Sequence, residues 1–129
     1  MIRNFFLCAG AVLLLGACAS DPDVISENLS PAELIQLAQE ASDRSRYKKA
    51  LEYYETLRER YAFNIEVVCT AEYEIAFIHF KQKKYTQARA ELNELLARYD
   101  GPDRELLPPQ FKILSEIVLK RMETFSEDG

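Results

Sequence analysis

The sequence is poor in the residues that build most enzyme sites. Its 129 residues include four glycines, five prolines, one histidine (His79) and no tryptophan. A single histidine excludes a His-rich metal site within the chain and leaves a His-based triad without support from the sequence. Only Gly101 lies between residues 30 and 125, which excludes a glycine-rich phosphate loop there. We therefore expect no catalytic residues, no cofactor and no metal.

Positive charge is also scarce, with 16 Lys and Arg residues against 21 Asp and Glu and a net charge of −5. This balance lacks the basic footprint of a nucleic-acid-binding domain, so no nucleic-acid partner is expected. A hydrophobic content of 48% is too high for a disordered chain. The length fits one compact domain.

Cysteine occurs at three positions, Cys8, Cys18 and Cys69. The first two lie in the N-terminal segment considered below, which leaves Cys69 without an intramolecular partner and excludes a disulfide framework. Cys69 lies in the apolar run from Ile65 to Ile78, and we expect it to be a small core residue. The alternative is a small-ligand or catalytic pocket beside Cys69 and His79.

Segments rich in Ala, Leu, Glu, Lys, Arg and Tyr predict an all-α protein. Ser30, Pro31 and Glu33 combine an N-cap, a proline at the first helical position and a capping box, so the first helix should begin at Pro31. Helical spacing of apolar residues predicts four further helices. These are Tyr47 to Tyr61, a helix capped by Asn64 that ends near Gln82, Tyr85 to Tyr99, and one opened by Pro108 and Pro109.

Two expectations concern the C-terminal third of the chain. Asp100, Gly101 and Pro102 should end the fourth helix, with Gly101 in a left-handed conformation. In the fifth helix, helical spacing predicts that five apolar residues face inward: Phe111, Leu114, Val118, Met122 and Phe125.

The second and fourth predicted helices repeat one pattern. A shift of 38 residues aligns Tyr47 with Tyr85, Ala50 with Ala88, Leu57 with Leu95, Arg60 with Arg98 and Tyr61 with Tyr99. The same shift carries Leu37 to Ile75 and Ala38 to Ala76. The sequence therefore predicts a repeated helix-turn-helix unit.

The unit resembles the tetratricopeptide repeat over about residues 31 to 102. Ala76, Tyr85 and Ala88 stand at the spacing of that family, and Ala38, Tyr47 and Ala50 do the same in the first unit. The departures are a period four residues longer than the family's, no closing proline, Glu72 at a usually apolar position, and His79 at a usually aromatic one. The resemblance implies a five-helix solenoid of two helix pairs and a C-terminal capping helix.

The same resemblance implies a concave groove lined by the first helix of each pair. That groove would include Ile35, Gln39, Asp43, Tyr73, Phe77, Phe80 and Lys81. The alternative is that the aromatic rings of the third helix are core. The turns inside the two pairs should form a basic edge that faces anionic headgroups or an acidic partner, with Arg44, Arg46, Lys48 and Lys49 at one turn and Lys83 and Lys84 at the other. The alternative is that these charges only complement the C-termini of the helices and keep the edge soluble.

The N-terminus predicts an export signal. Arg3 precedes an apolar run from Phe5 to Leu15, which is too short to span a membrane and is typical of a cleaved signal peptide. Leu15-Gly16-Ala17-Cys18 resembles the lipobox of bacterial lipoproteins. The resemblance implies a diacylglycerol thioether on Cys18 and an N-acyl chain such as palmitate, enough for stable anchoring. The alternative is an ordinary signal peptide cut near Ala17 or Ala19.

These patterns predict four segments. They are a signal peptide (1–17), a lipidated cysteine and flexible tether (18–29), a helical domain (30–125) and a frayed tail (126–129). Because Ala19 and not Asp follows the cysteine, we expect the periplasmic face of the outer membrane rather than the inner membrane.

The resulting functional prediction is a non-enzymatic scaffold or subunit of an envelope assembly or secretion complex, similar to short repeat-containing outer-membrane lipoproteins. One alternative is an accessory to a periplasmic solute-binding protein or transporter. Another is small-ligand binding in an apolar pocket. The expected partner is an envelope protein, and a second copy of the chain is an alternative.

Overall fold

The computed structural model describes residues 24–127, and within that range the chain forms five α-helices and no strand. They are α1 (Pro31–Asp43), α2 (Tyr47–Arg60), α3 (Ile65–Lys81), α4 (Tyr85–Ala97) and α5 (Pro109–Glu127), with short 3-10 helices at Arg98–Asp100 and Arg104–Leu106. The predicted all-α class and the five helices are confirmed. The predicted signal peptide (1–17), Cys18, the tether up to residue 23 and the end of the tail lie outside the described residues.

Local capping explains where α1 and α3 begin. The Ser30 hydroxyl accepts a hydrogen bond from the Glu33 amide at 3.3 Å, and the Glu33 carboxylate accepts one from the Ser30 amide at 2.8 Å. These bonds with Ser30 lower the pKa of Glu33. The Asn64 side chain accepts from the Val67 amide at 3.2 Å. Both predicted starts are confirmed, because each is determined by residues within one helical turn.

The turns inside the two helix pairs have the same backbone geometry. Ser45 and Lys83, 38 residues apart, are the non-glycine residues with positive φ among those described, at 57° and 62°. In each turn, the amide of the residue after the one with positive φ donates a hydrogen bond to a carbonyl in the last turn of the preceding helix. The Arg46 amide donates to the Ala41 carbonyl at 2.8 Å, and the Lys84 amide donates to the His79 carbonyl at 2.9 Å. This is the Schellman arrangement, in which glycine usually occupies the left-handed position.

Replacing Lys83 with glycine should stabilise the protein by about 0.5–1 kcal/mol, because glycine adopts a positive φ without the strain imposed by a β-carbon. Urea unfolding of both proteins measures the difference. Lys120→Gly, at an exposed position within α5, is the matched control and should lower stability by about 1 kcal/mol. A loss of stability in both variants would contradict the prediction.

The core consists of two clusters that share α3. One joins α1, α2 and α3 through residues such as Leu34, Leu57 and Ile78. The other joins α3, α4 and α5 through residues such as Leu92 and Met122. Five alanines are completely buried in these clusters: Ala38, Ala50, Ala71, Ala76 and Ala88. Because α3 is covered on two sides, it is the central helix.

Of the two expectations about the C-terminal third, the left-handed conformation of Gly101 is wrong, and the inward face of α5 is confirmed for Phe111, Val118 and Met122 but not for Leu114 and Phe125. Gly101 has a φ of −87° and is extended, because the 3-10 turn Arg98–Asp100 ends the helix and the Gly101 amide bonds to the Arg98 carbonyl at 3.1 Å. Helix α5 buries Phe111, Ser115, Val118 and Met122, whereas Leu114 and Phe125 are 37% and 53% exposed. The buried stripe is therefore rotated by part of a turn from the predicted one.

The segment before α1 is docked on the domain. The Arg60 guanidinium donates to the carbonyls of Ser26 at 2.6 Å and Ile25 at 3.0 Å. The Tyr61 hydroxyl donates to the Leu29 carbonyl at 2.9 Å, and Ile25 and Leu29 pack on the first core cluster. The C-terminal half of the predicted flexible tether (18–29) is thus held against α2, because long-range partners satisfy its backbone carbonyls.

None of the described helices combines the length and the apolar composition that a membrane span requires.

Candidate functional site

Helices α1 and α3, the first helices of the two pairs, meet at their C-terminal ends through a contact between Lys81 Nζ and the Ser42 hydroxyl. By helical spacing, one face of α1 and one face of α3 beside this contact carry most of the predicted groove residues. We call these two faces together the α1–α3 surface. It comprises the predicted residues Ile35, Gln39, Asp43, Phe77 and Lys81, together with Glu74.

Lys81 is held by several groups at one end of this surface. Its ammonium lies 5.1 Å from the centre of the Phe77 ring and 5.5 Å from that of Tyr47, close enough for cation–π attraction. The bond to Ser42 adds a polar contact. The ammonium is therefore fixed in place rather than freely mobile.

Glu74 and Tyr54 place two polar groups with raised pKa values beside the same surface. Burial raises the pKa of Glu74, with Lys81 acting in the opposite direction. Burial, and then the charges of Glu74 and Asp43, raise the pKa of Tyr54. The Tyr54 hydroxyl is buried without a hydrogen-bond partner among the described residues. A buried polar group without a hydrogen-bond partner lowers the stability of the folded state unless another molecule supplies that partner.

Replacing Glu74 with glutamine should raise the free energy of unfolding at pH 7. The folded state raises the pKa of Glu74, so the carboxyl favours folding below its unfolded pKa and loses that contribution as pH rises through the folded value. The advantage of the variant should therefore fade at low pH. Urea unfolding at pH 7 and pH 4 tests this, with Glu116→Gln at an exposed position of α5 as the control. An equal effect at both pH values would contradict it.

The aromatic residues of α3 divide between core and surface. Tyr73 is 6% exposed and packs on Phe111 with ring centres 5.5 Å apart. Phe77 and Phe80 are half-buried, and their rings stack 5.8 Å apart. Tyr73 therefore belongs to the α3–α5 core contact, whereas Phe77 and Phe80 retain an accessible edge.

The basic residues of the two turns lie along one edge. Gln82 lines a shallow depression of about 440 Å³ together with Ser45, Arg46 and Lys48, so the turns are neighbours. Arg44, Arg46, Lys48, Lys83 and Lys84 are exposed. Lys49 is half-buried and pairs with Glu52 at 3.1 Å. Arg46 and Lys84 are N-caps of α2 and α4, where positive charge opposes the helix dipole. They also follow the C-terminal ends of α1 and α3, where positive charge is favourable, so the two dipole effects oppose each other.

The structure does not bring Cys69 and His79 together. They are ten residues apart on α3, or about 15 Å along the helix axis. Burial raises the pKa of Cys69, and its side chain is completely buried. His79 Nδ1 lies 2.7 Å from a Glu91 carboxylate oxygen. The arrangement lacks the paired thiol and imidazole of a cysteine nucleophile.

Sequence reasoning missed Glu74, Tyr54 and Ser42. Glu74 lies three residues before Phe77 and seven before Lys81, so helical spacing alone places it on the same face. Tyr54 lies four residues after Ala50 and three before Leu57, a spacing that favours its burial. The missing hydrogen bond of its hydroxyl and the contact between Ser42 and Lys81 depend on how α1, α2 and α3 pack, and no local pattern indicates them.

No family model matches the sequence, and no solved structure matches it. A protein of Treponema pallidum (strain Nichols), described as uncharacterized, is 36% identical over 114 residues. The match covers 87% of this chain and 46% of the relative. The chain thus spans about half the length of the curated relative to which it is similar.

Proposed function

We propose that this protein is a lipid-anchored component of the bacterial cell envelope whose helical domain binds a segment of a partner protein without catalysing a reaction. The observation that carries the proposal is the α1–α3 surface. It combines a fixed cation at Lys81, a half-buried carboxylate at Glu74 and an accessible Phe77 edge. An apolar contact flanked by defined charges of both signs suits recognition of an amphipathic peptide or helix.

The proposed architecture is a tetratricopeptide-like solenoid of two helix pairs with α5 as the cap. Its support is the repeat of turn geometry after 38 residues at Ser45 and Lys83 and the buried alanines at equivalent places in both pairs. Side-by-side first helices are what such repeats use to line a binding surface. The proposed surface uses α1 and α3 in this way.

The anchor is proposed from the sequence Leu15-Gly16-Ala17-Cys18 behind its basic and apolar segment. Mass spectrometry of the N-terminal peptide from the membrane fraction should detect an acylated Cys18 at the new N-terminus. The Cys18→Ser variant should lose that modification and leave the membrane fraction. An unmodified Cys18 in the wild-type chain would overturn the proposed anchor.

Affinity isolation of the full-length protein from gently solubilised membranes of its own cells tests the binding surface. Mass spectrometry then identifies co-purifying proteins. The double variant Gln39→Lys and Asp43→Lys changes exposed residues of α1, and it should lose the partner while keeping its helical circular dichroism. Glu94→Lys, an exposed change on α4, is the control and should keep the partner. Equal recovery with both variants would overturn the proposed surface.

The same isolation separates the proposed scaffold from its main alternative. Subunits of an envelope assembly or secretion machine among the lost proteins would support a scaffold. One soluble protein recovered in stoichiometric amount would instead favour an accessory to a solute-binding protein or transporter.

For the basic edge we propose an acidic partner rather than anionic headgroups. The segment that leads toward residue 18 is bonded to Arg60 and Tyr61 at the far end of α2. Helix α2 has 14 residues, which makes it about 21 Å long. The basic turns thus lie at the opposite end of the helices from the segment that would carry the anchor.

A further inference from the structure

Three strongly exposed apolar side chains lie at one end of the helix bundle. Val24 in the segment before α1 is 82% exposed, Phe63 in the α2–α3 loop is 106% exposed, and Leu106 between α4 and α5 is 66% exposed. Successive helices pack on one another and run antiparallel, which brings the α2–α3 loop and the α4–α5 connection to the same end. The bonds from Arg60 to the Ile25 and Ser26 carbonyls hold the segment that contains Val24 at the C-terminal end of α2, next to the α2–α3 loop. We call these three side chains the apolar tip.

The two ends of the bundle differ in chemistry. Each described connection at the tip end presents one large apolar side chain to solvent. The turns at the other end present Arg44, Ser45, Arg46, Lys83 and Lys84. Nothing in loop conformation requires an apolar residue at a fully exposed position such as Phe63. Other exposed apolar side chains lie along α5, at Ile113, Leu114, Ile117 and Phe125. Among the segments that link or precede the helices, the strongly exposed apolar side chains occur at the tip end, which indicates contact with another phase or partner there.

The position of the N-terminal segment indicates what covers the apolar tip. Arg60 and Tyr61 hold residues 25–29 against the C-terminal end of α2, immediately before Phe63. Cys18 precedes Val24 by six residues, which span about 20 Å at most when fully extended. Taking Cys18 as lipidated, as the proposed function does, keeps the apolar tip within that distance of the bilayer surface.

We propose that the apolar tip docks on the lipid surface that holds the Cys18 anchor, with the Phe63 ring at the boundary between headgroups and acyl chains. Phenylalanine is among the residues that interfacial segments bury at that depth of a bilayer. The helices then stand away from the membrane, and the basic edge lies about 20 Å from it, one length of α2. The α1–α3 surface runs along the side of the domain, where a partner reaches it.

Depth-dependent fluorescence quenching tests this orientation. The full-length lipoprotein carrying Cys69→Ala is reconstituted in vesicles of phosphatidylethanolamine and phosphatidylglycerol, some with a nitroxide on the acyl chain. A bimane label is placed at Ala62→Cys, beside Phe63, or at Ser45→Cys in the basic edge. We expect strong quenching at position 62 and little at position 45. Adding Phe63→Ser should reduce quenching at position 62 several-fold while the protein stays on the vesicles.

The outcomes separate this proposal from the anchor on which it rests. Equal quenching at positions 62 and 45 in protein that floats with the vesicles would overturn the apolar tip and leave the anchor intact. Unchanged quenching after Phe63→Ser would overturn the role of that ring. Protein that mass spectrometry shows to lack acylation, and that does not float, would overturn both.

Discussion

Replacing Leu57 with alanine is expected to lower the free energy of unfolding by about 2–5 kcal/mol, the usual cost of emptying a filled core position. Leu57 is completely buried in the cluster that joins α1, α2 and α3. A domain of this size has a total stability of about 5–15 kcal/mol. The substitution should therefore remove a large share of it.

Urea unfolding followed by circular dichroism measures this loss. Leu106→Ala is the matched control, because the same atoms are removed from a side chain that is 66% exposed. It should change stability by less than about 0.5 kcal/mol. A cost below about 1 kcal/mol would mean that Leu57 does not fill a packed position between α1, α2 and α3.

Replacing Ala88 with leucine is expected to cost about 1–3 kcal/mol, because added methylene groups in a packed helix contact force neighbouring side chains or backbone to move. Ala88 is completely buried where α4 crosses α3. Ala50 is its equivalent in the first pair and is also completely buried. If the two pairs are one repeated unit, Ala50→Leu should have a similar cost.

Ala90→Leu provides the control for this second prediction. Ala90 lies two residues further along α4 and is exposed, so leucine there should change stability by no more than about 0.5 kcal/mol. Thermal unfolding of the three variants makes the comparison. Equal effects at positions 88 and 90 would contradict close helix contact, and a large cost at only one of positions 50 and 88 would contradict the equivalence of the two pairs.

The helices could be predicted because their signals are local. Ser30 and Glu33 cap α1 through bonds within one turn, and Asn64 does the same for α3. The shift that aligns Tyr47 with Tyr85 also predicted that two turns would be alike, and Ser45 and Lys83 have nearly the same φ. Neither residue is glycine, so composition gave no indication of their left-handed conformation.

The predictions for Gly101 and for Leu114 and Phe125 on α5 failed because tertiary contacts decide which of several locally possible arrangements forms. On α5 the sequence offers more apolar residues than one packing face can bury. Contact with α3 and α4 selected the stripe that contains Ser115 and left Leu114 and Ile117 exposed. Periodicity could not predict this choice, because the apolar residues of α5 cover more than one face of the helix.

At the candidate site, too, helical spacing predicted some features and the packing of helices decided others. The spacing of Phe77 and Lys81 placed both on one helix face, and the structure keeps them together. The burial that raises the pKa of Glu74 comes from neighbouring helices, and so does the unpartnered hydroxyl of Tyr54.

By itself, the sequence determined the helical class, the helix starts and the repeat, because caps and helical spacing act over a few residues. Tertiary structure alone decided that the segment before α1 docks on Arg60 and Tyr61. It also decided which face of α5 is buried and that Val24, Phe63 and Leu106 share one end. These features join residues more than thirty positions apart, and only the packing of helices brings such residues into contact or to one end of the fold.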